Sequence, residues 1–204
     1  MKGAIQMSNL ENYMKQQAIF CEQNDSISKN LYSEYGVKRG LRDEKGQGVL
    51  TGLTNISDIK AFEYHDGVKS PCDGELSYRG YNIKDLVTGS KGKRFVFEEG
   101  AYLLLFGELP TDTQLMEFQG RLSDCMELPT NFTRDVIMKA PTSDIMGSMT
   151  RSILTLGSYD KEKESLEIPN VLRQSMQLIA VFPMLAVYAY HAYCHYEKNE
   201  SMYI

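Results

Sequence analysis

The sequence has few cysteines, and their placement fits neither a disulfide-rich fold nor a zinc site. The four thiols are far apart in the 204-residue chain, with no CxxC pair and no zinc-like spacing. The N-terminal residues Met1–Ile5 are not followed by an apolar signal core. A reduced, cytoplasmic protein is therefore predicted, in which the thiols serve as small core hydrophobes. The thiols belong to Cys21, Cys72, Cys125 and Cys194.

Positive charge is also scarce. The chain has 22 Lys and Arg against 27 Asp and Glu, which gives a net charge of −5 and a pI of about 5.3. This balance lacks the basic surface that nucleic-acid binding requires. A short basic run, Lys91–Arg94, is predicted to be a solvated loop. No nucleic-acid partner is expected.

Charge is absent altogether from one stretch, 174–196, which approaches the length of a membrane-spanning helix. The stretch nevertheless contains glutamines, tyrosines, two histidines and Pro183. Lipid cannot satisfy the polar tips of those side chains. We therefore expect a helix buried inside a protein, and no membrane partner.

A small β-meander is predicted near the N-terminus. Asp66-Gly67 is a strong type I′ hairpin signal between strands at Ile56–Tyr64 and Val68–Ser70. Asp73-Gly74 is taken as a second turn, leading into a strand at Glu75–Tyr78. The rest of the sequence shows mainly helical periodicity.

Several helices are indicated by capping and breaking residues. Gly107 ends one of them, Thr111 with Gln114 forms a capping box, and Ser143 is taken as the cap of another. Pro183 should bend the last, long helix. The fold class is therefore mainly α, in one compact unit with a small β element. The expected helices are Leu10–Glu22, Ile27–Tyr35, Phe97–Phe106, one opening at Thr111, Asn131–Lys139, one opening at Ser143, and one from Pro169 to about Tyr196.

The three histidines are the first candidates for chemistry. His65 adjoins the hairpin turn and is expected to be exposed. His191 and His195 are four apart on one helix, a spacing that binds zinc when a Glu follows the first His. Here Ala192 follows it, and no third ligand is close in sequence. Packing among tyrosines is the simpler interpretation of the pair.

Other catalytic patterns are weak or missing. Gly46 and Gly48 lack the third glycine and the strand–helix context of a dinucleotide loop. The acid pairs Glu98-Glu99 and Asp43-Glu44 are adjacent, so on a helix they point in different directions and cannot flank one bond. No GxSxG nucleophile motif occurs. The residues alone therefore assign no catalytic, cofactor-binding or metal-binding position.

Five segments in order resemble the citrate synthase family, and the likeness runs from about Val37 to the last residue. The most specific is Phe97–Thr111, FEEGAYLLLFGELPT, which is close to the family's FEEVAYLLLFGELPT. The YRGY at Tyr78–Tyr81 resembles a family hairpin and turn. One departure is Ala140–Thr142, where many members have His-Pro-Met. The five segments are Gly40–Ser57, Gly74–Ile83, Phe97–Thr111, Asp144–Asp160 and Ile168–Ala180.

This resemblance implies a fold and a reaction. Residues 1–204 would form the N-terminal portion of the large helical domain of a citrate synthase, without the small domain. The family condenses acetyl-CoA with oxaloacetate to citrate and CoA, using an aspartate base and two histidines and no cofactor. Family members are about twice as long, and their catalytic residues lie beyond the position matching Ile204. The fragment alone is therefore expected to be inactive.

The resemblance also implies a homodimer. The apolar residues of the helix over 143–157 cover more than one face, as expected if it packs inward and against a second subunit. Burial within one subunit would give the same periodicity. Two other functions stay open: a 2-methylcitrate synthase fragment acting on propionyl-CoA, and a non-catalytic helical interaction module on the same scaffold.

Overall fold

The computed structural model describes residues 2–24, 27–28, 30–37, 40–42, 46, 48–89 and 96–203, with side chains from residue 9 onward except that of residue 33. The basic run Lys91–Arg94 and the acid pair Asp43-Glu44 lie outside these residues. Gly46 and Gly48, which were considered as part of a dinucleotide loop, are both described, but the residue between them is not.

The chain divides into two compact units, so the prediction of one unit was wrong. Unit 1 contains Met1–Ala18 and Glu117–Ile204, and unit 2 contains Ile19–Met116. Helix periodicity could not reveal this division, because two helices contribute residues to both units. These helices are α1, Lys2–Asn24, and α5, Asp112–Asp124.

Unit 2 contains a three-stranded antiparallel sheet in the order β1-β2-β3. β1 and β2 are joined by Asp66 and Gly67, whose φ angles of 51° and 80° are those of a type I′ turn. The predicted hairpin is therefore confirmed. The strands are β1, Ser57–His65; β2, Val68–Tyr78; and β3, Tyr81–Asn82.

The second turn lies elsewhere than predicted. Asp73-Gly74 lies inside β2, where the pairing shifts from Lys60 with Glu75 to Phe62 with Pro71. Three residues of β2 thus face one of β1, which is a bulge, and a bulge admits the proline that a regular central strand excludes. The actual turn is Arg79-Gly80, with φ of 48° and 85°.

The other helices of unit 2 are α2, Asn30–Glu34; α3, Ile83–Thr88; and α4, Val96–Phe106. Gly107 follows α4 with φ of 84°, as its predicted role in ending the helix requires. The capping box at the start of α5 is also confirmed. The Thr111 N–H donates to Gln114 Oε1 at 2.8 Å, and the Gln114 N–H donates to Thr111 Oγ1 at 3.3 Å.

Unit 1 contains a π-helix, Thr133–Ile137, and two helices, α6, Ile145–Gly157, and α7, Ile168–Lys198. The cap of α6 is Asp144 rather than the predicted Ser143, because the Asp144 carboxylate accepts from the Gly147 N–H at 2.9 Å. Pro169 lies in the first turn of α7, and Pro183 lies inside that helix, both as predicted.

The core of unit 1 joins α6, α7 and the π-helix. Its fully buried members come from the π-helix region and the second half of α7, and one stripe of α6 packs against them. That stripe confirms the inward face predicted from periodicity. The buried members are Phe132, Ile137, Val181, Leu185, Ala189 and Ala192, and the α6 stripe is Ile145, Met149, Ile153 and Leu156.

Among the described helices, α7 alone is long and apolar enough to cross a membrane, and 28% of its most apolar window is buried. A single helix of this kind is weak support for a membrane span, since a core helix passes the same test. One face of α7 is buried in unit 1, as Leu185 and Ala192 at 1% and 0% exposure show, whereas Phe182 and Val187 are 42% and 50% exposed. The predicted buried helix is therefore buried on one side only.

Candidate functional site

The three histidines are divided between the two units. His65 is exposed at the end of β1 in unit 2, with Nε2 at 3.1 Å from the Glu63 carboxylate. This is the exposed position predicted for it. His191 and His195 lie on α7 in unit 1.

Both α7 histidines have structural partners. The His191 ring makes edge contacts with Tyr190 and Tyr203, each at a centroid distance of 5.8 Å. His195 Nδ1 is 2.8 Å from the Glu200 carbonyl oxygen, which lies just beyond the end of the helix. The prediction that this pair packs among tyrosines is confirmed. In the described part of the chain, no group of three His, Cys, Asp or Glu side chains could hold a metal.

The four cysteines are free thiols. Cys125 and Cys194 are buried, as predicted for core hydrophobes, whereas Cys21 and Cys72 are half-buried. Burial raises the pKa of the Cys125 thiol, with the nearby Asp124 carboxylate adding to the effect. Cys125 is therefore held in the unreactive, protonated form.

The outer face of α6 carries a row of exposed side chains. Met146 is 77% exposed and Leu154 is 73% exposed. Thr150 lies between them at helical spacing, and Gly147 borders the same open groove. The helix thus has one apolar face in the core and a second one in solvent.

Side chains of α7 form a hydrogen-bond network with Asp160, which lies in the segment between α6 and α7. Arg173 Nη2 donates to both Asp160 carboxylate oxygens at 2.9 Å, and Gln174 Nε2 donates to Oδ2 at 2.9 Å. Burial alone would raise the pKa of Asp160. Hydrogen bonds from Gln174, the Glu162 N–H and Arg173 outweigh it and hold that pKa below its ordinary value. Beside this network, a cavity of about 380 Å³ opens between α6 and α7.

The YRGY segment has a structural role that the sequence did not reveal. Arg79 Nη1 donates to the Asn24 carbonyl and Nη2 to the Leu104 carbonyl, both at 3.1 Å. Asn24 Nδ2 in turn donates to the Phe106 carbonyl at 2.9 Å. Arg79 therefore joins the sheet to the C-terminal ends of α1 and α4. The only sequence signal was an arginine in a tight turn before a glycine.

Comparison with known proteins decides the family. The sequence model described as citrate synthase, C-terminal domain, matches residues 41–203. The chain belongs to the citrate synthase family. The resemblance seen in the sequence is thereby confirmed, as is the mainly helical fold with a small antiparallel sheet.

Two curated relatives show the range of the family. The chain is 30% identical over 154 residues to the citrate synthase of Saccharolobus solfataricus. The aligned region covers 76% of this chain and 35% of that protein. It is 34% identical over 116 residues to the 2-methylcitrate synthase of Shewanella oneidensis, and this aligned region covers 56% of this chain and 28% of that protein. The chain spans about a third of the length of the curated relatives it matches.

Solved citrate synthases share the fold. The enzyme of Pyrobaculum aerophilum superimposes with a TM-score of 0.58 at 26% identity, covering 77% of this chain and 40% of that one. A citrate synthase of Thermoplasma acidophilum superimposes with a TM-score of 0.53 at 18% identity, covering 84% of this chain and 37% of that one. At that identity, the second likeness describes the fold alone.

Proposed function

We propose that this chain is the N-terminal portion of the large helical domain of a citrate synthase. The complete enzyme would condense acetyl-CoA with oxaloacetate and water to citrate and CoA, as an acyltransferase of the tricarboxylic acid cycle without a cofactor. The family match over residues 41–203, at about a third of the relatives' length, is the observation that carries this proposal. A cytoplasmic location is part of it.

The chain alone is proposed to be inactive. Carbon–carbon bond formation from acetyl-CoA needs a placed base and hydrogen-bond donors at the developing oxyanion. The histidines and the buried thiols of the described residues instead have packing or hydrogen-bonding roles.

A coupled assay of free CoA tests the inactivity of the 204-residue chain. No CoA release that depends on both acetyl-CoA and oxaloacetate is expected, and a full-length relative serves as the positive control. Release that requires both substrates would contradict the proposal. Sequencing the transcript beyond the Ile204 codon gives a second test. Codons for the family's two histidine motifs would support a divided or longer enzyme, whereas an immediate stop would favour a non-catalytic module.

A 2-methylcitrate synthase is the second candidate, since a relative of that name is 34% identical to this chain. The two enzymes differ in the acyl group they accept. An acyl-CoA panel on the complete enzyme would discriminate them, with faster turnover of propionyl-CoA favouring the second candidate.

We also propose that the family enzyme is a homodimer that uses α6. The exposed row of Met146, Thr150 and Leu154 is apolar at both ends. The inward stripe of the same helix is already occupied by the core of unit 1, so the outer row is the face that is free for a second subunit.

A further inference from the structure

We draw no further inference here: the strongest candidate, the exposed apolar stripe of Val171, Leu178 and Phe182 along α7, carries no proposal because nothing in the structure shows what covers it.

Discussion

At the scale of single residues, Arg79 links the sheet of unit 2 to the C-terminal ends of two helices. Its backbone takes a positive φ of 48°, which is uncommon for a long side chain, and this conformation accompanies its guanidinium contacts with two helix ends. Carbonyl groups at a helix C-terminus carry partial negative charge, so a cation there is favourable.

Arg79→Gln should lower the free energy of unfolding by about 2 kcal/mol or more, because it removes charge-assisted hydrogen bonds to half-buried carbonyls. Urea denaturation followed by circular dichroism measures the change. Arg42→Gln is the matched control, since Arg42 is exposed and donates to the nearby Gly46 carbonyl. Its effect should stay within about 0.5 kcal/mol. Equal losses for both variants would contradict the role given to Arg79.

Asp160 should make the free energy of unfolding of unit 1 fall at acidic pH. Its pKa in the folded chain lies below the ordinary value of 3.8. The carboxylate therefore stabilises the fold at any pH above about 4, and this contribution is lost as the pH falls through the lowered pKa. Asp160→Asn should cost about 1–3 kcal/mol at pH 7 and flatten the decline in stability between about pH 5 and pH 2.

Urea midpoints at a series of pH values measure this dependence. Glu164→Gln removes an exposed carboxylate from the same segment and controls for the loss of one negative charge. An Asp160→Asn profile parallel to that of the parent chain would show that Asp160 does not cause the acid dependence.

At the scale of helices and strands, the sequence predicted correctly the features that depend only on residues close to one another in the chain. The capping box of Thr111 with Gln114 and the type I′ turn at Asp66-Gly67 both depend on residues within four positions. Asp73-Gly74 has the same composition as a turn, yet it forms a bulge, since the outcome depends on pairing with β1. Such pairing cannot be read from the residues on one strand.

The helix cap of α6 gives a direct test of the corrected assignment. Asp144→Ala should lower the free energy of unfolding by about 1 kcal/mol, because the Gly147 N–H loses its acceptor. Ser143→Ala, at the position indicated by the sequence, should change it by less than about 0.5 kcal/mol. Thermal melts of the two variants measure the difference. A larger loss for Ser143→Ala would restore the original prediction.

Predictions about the candidate site from the sequence were limited in the same way, to contacts between residues close in the chain. Sequence spacing predicted correctly that His191 and His195 pack among aromatic rings. It could not reveal the polar network around Asp160, because Asp160 and Arg173 are 13 residues apart and on different elements. The carbonyl partners of Arg79 are still more remote, up to 55 residues away. Contacts of that kind depend on tertiary packing, which residue patterns do not contain.

At the scale of the whole molecule, the outer row of α6 should control self-association. Leu154→Glu places a charge at one apolar end of the proposed subunit interface and should shift the chain towards monomer, which light scattering at several concentrations measures. Leu166→Glu is the control, because Leu166 is 87% exposed and lies outside α6. Equal association of both variants, or a monomeric parent chain, would contradict dimerisation through this face.

The division into units has a consequence for how the chain is made. Unit 2 is continuous, so all of its residues have been synthesised once Met116 has been added. Unit 1 is not, and Tyr13 and Met14 of α1 are buried in the finished fold. At about 5–20 residues per second, those side chains wait several seconds on the ribosome for the C-terminal residues of their own unit. During that interval Tyr13 and Met14 lack the partners that residues 117–204 of their own unit will supply, so their apolar side chains stay in contact with water.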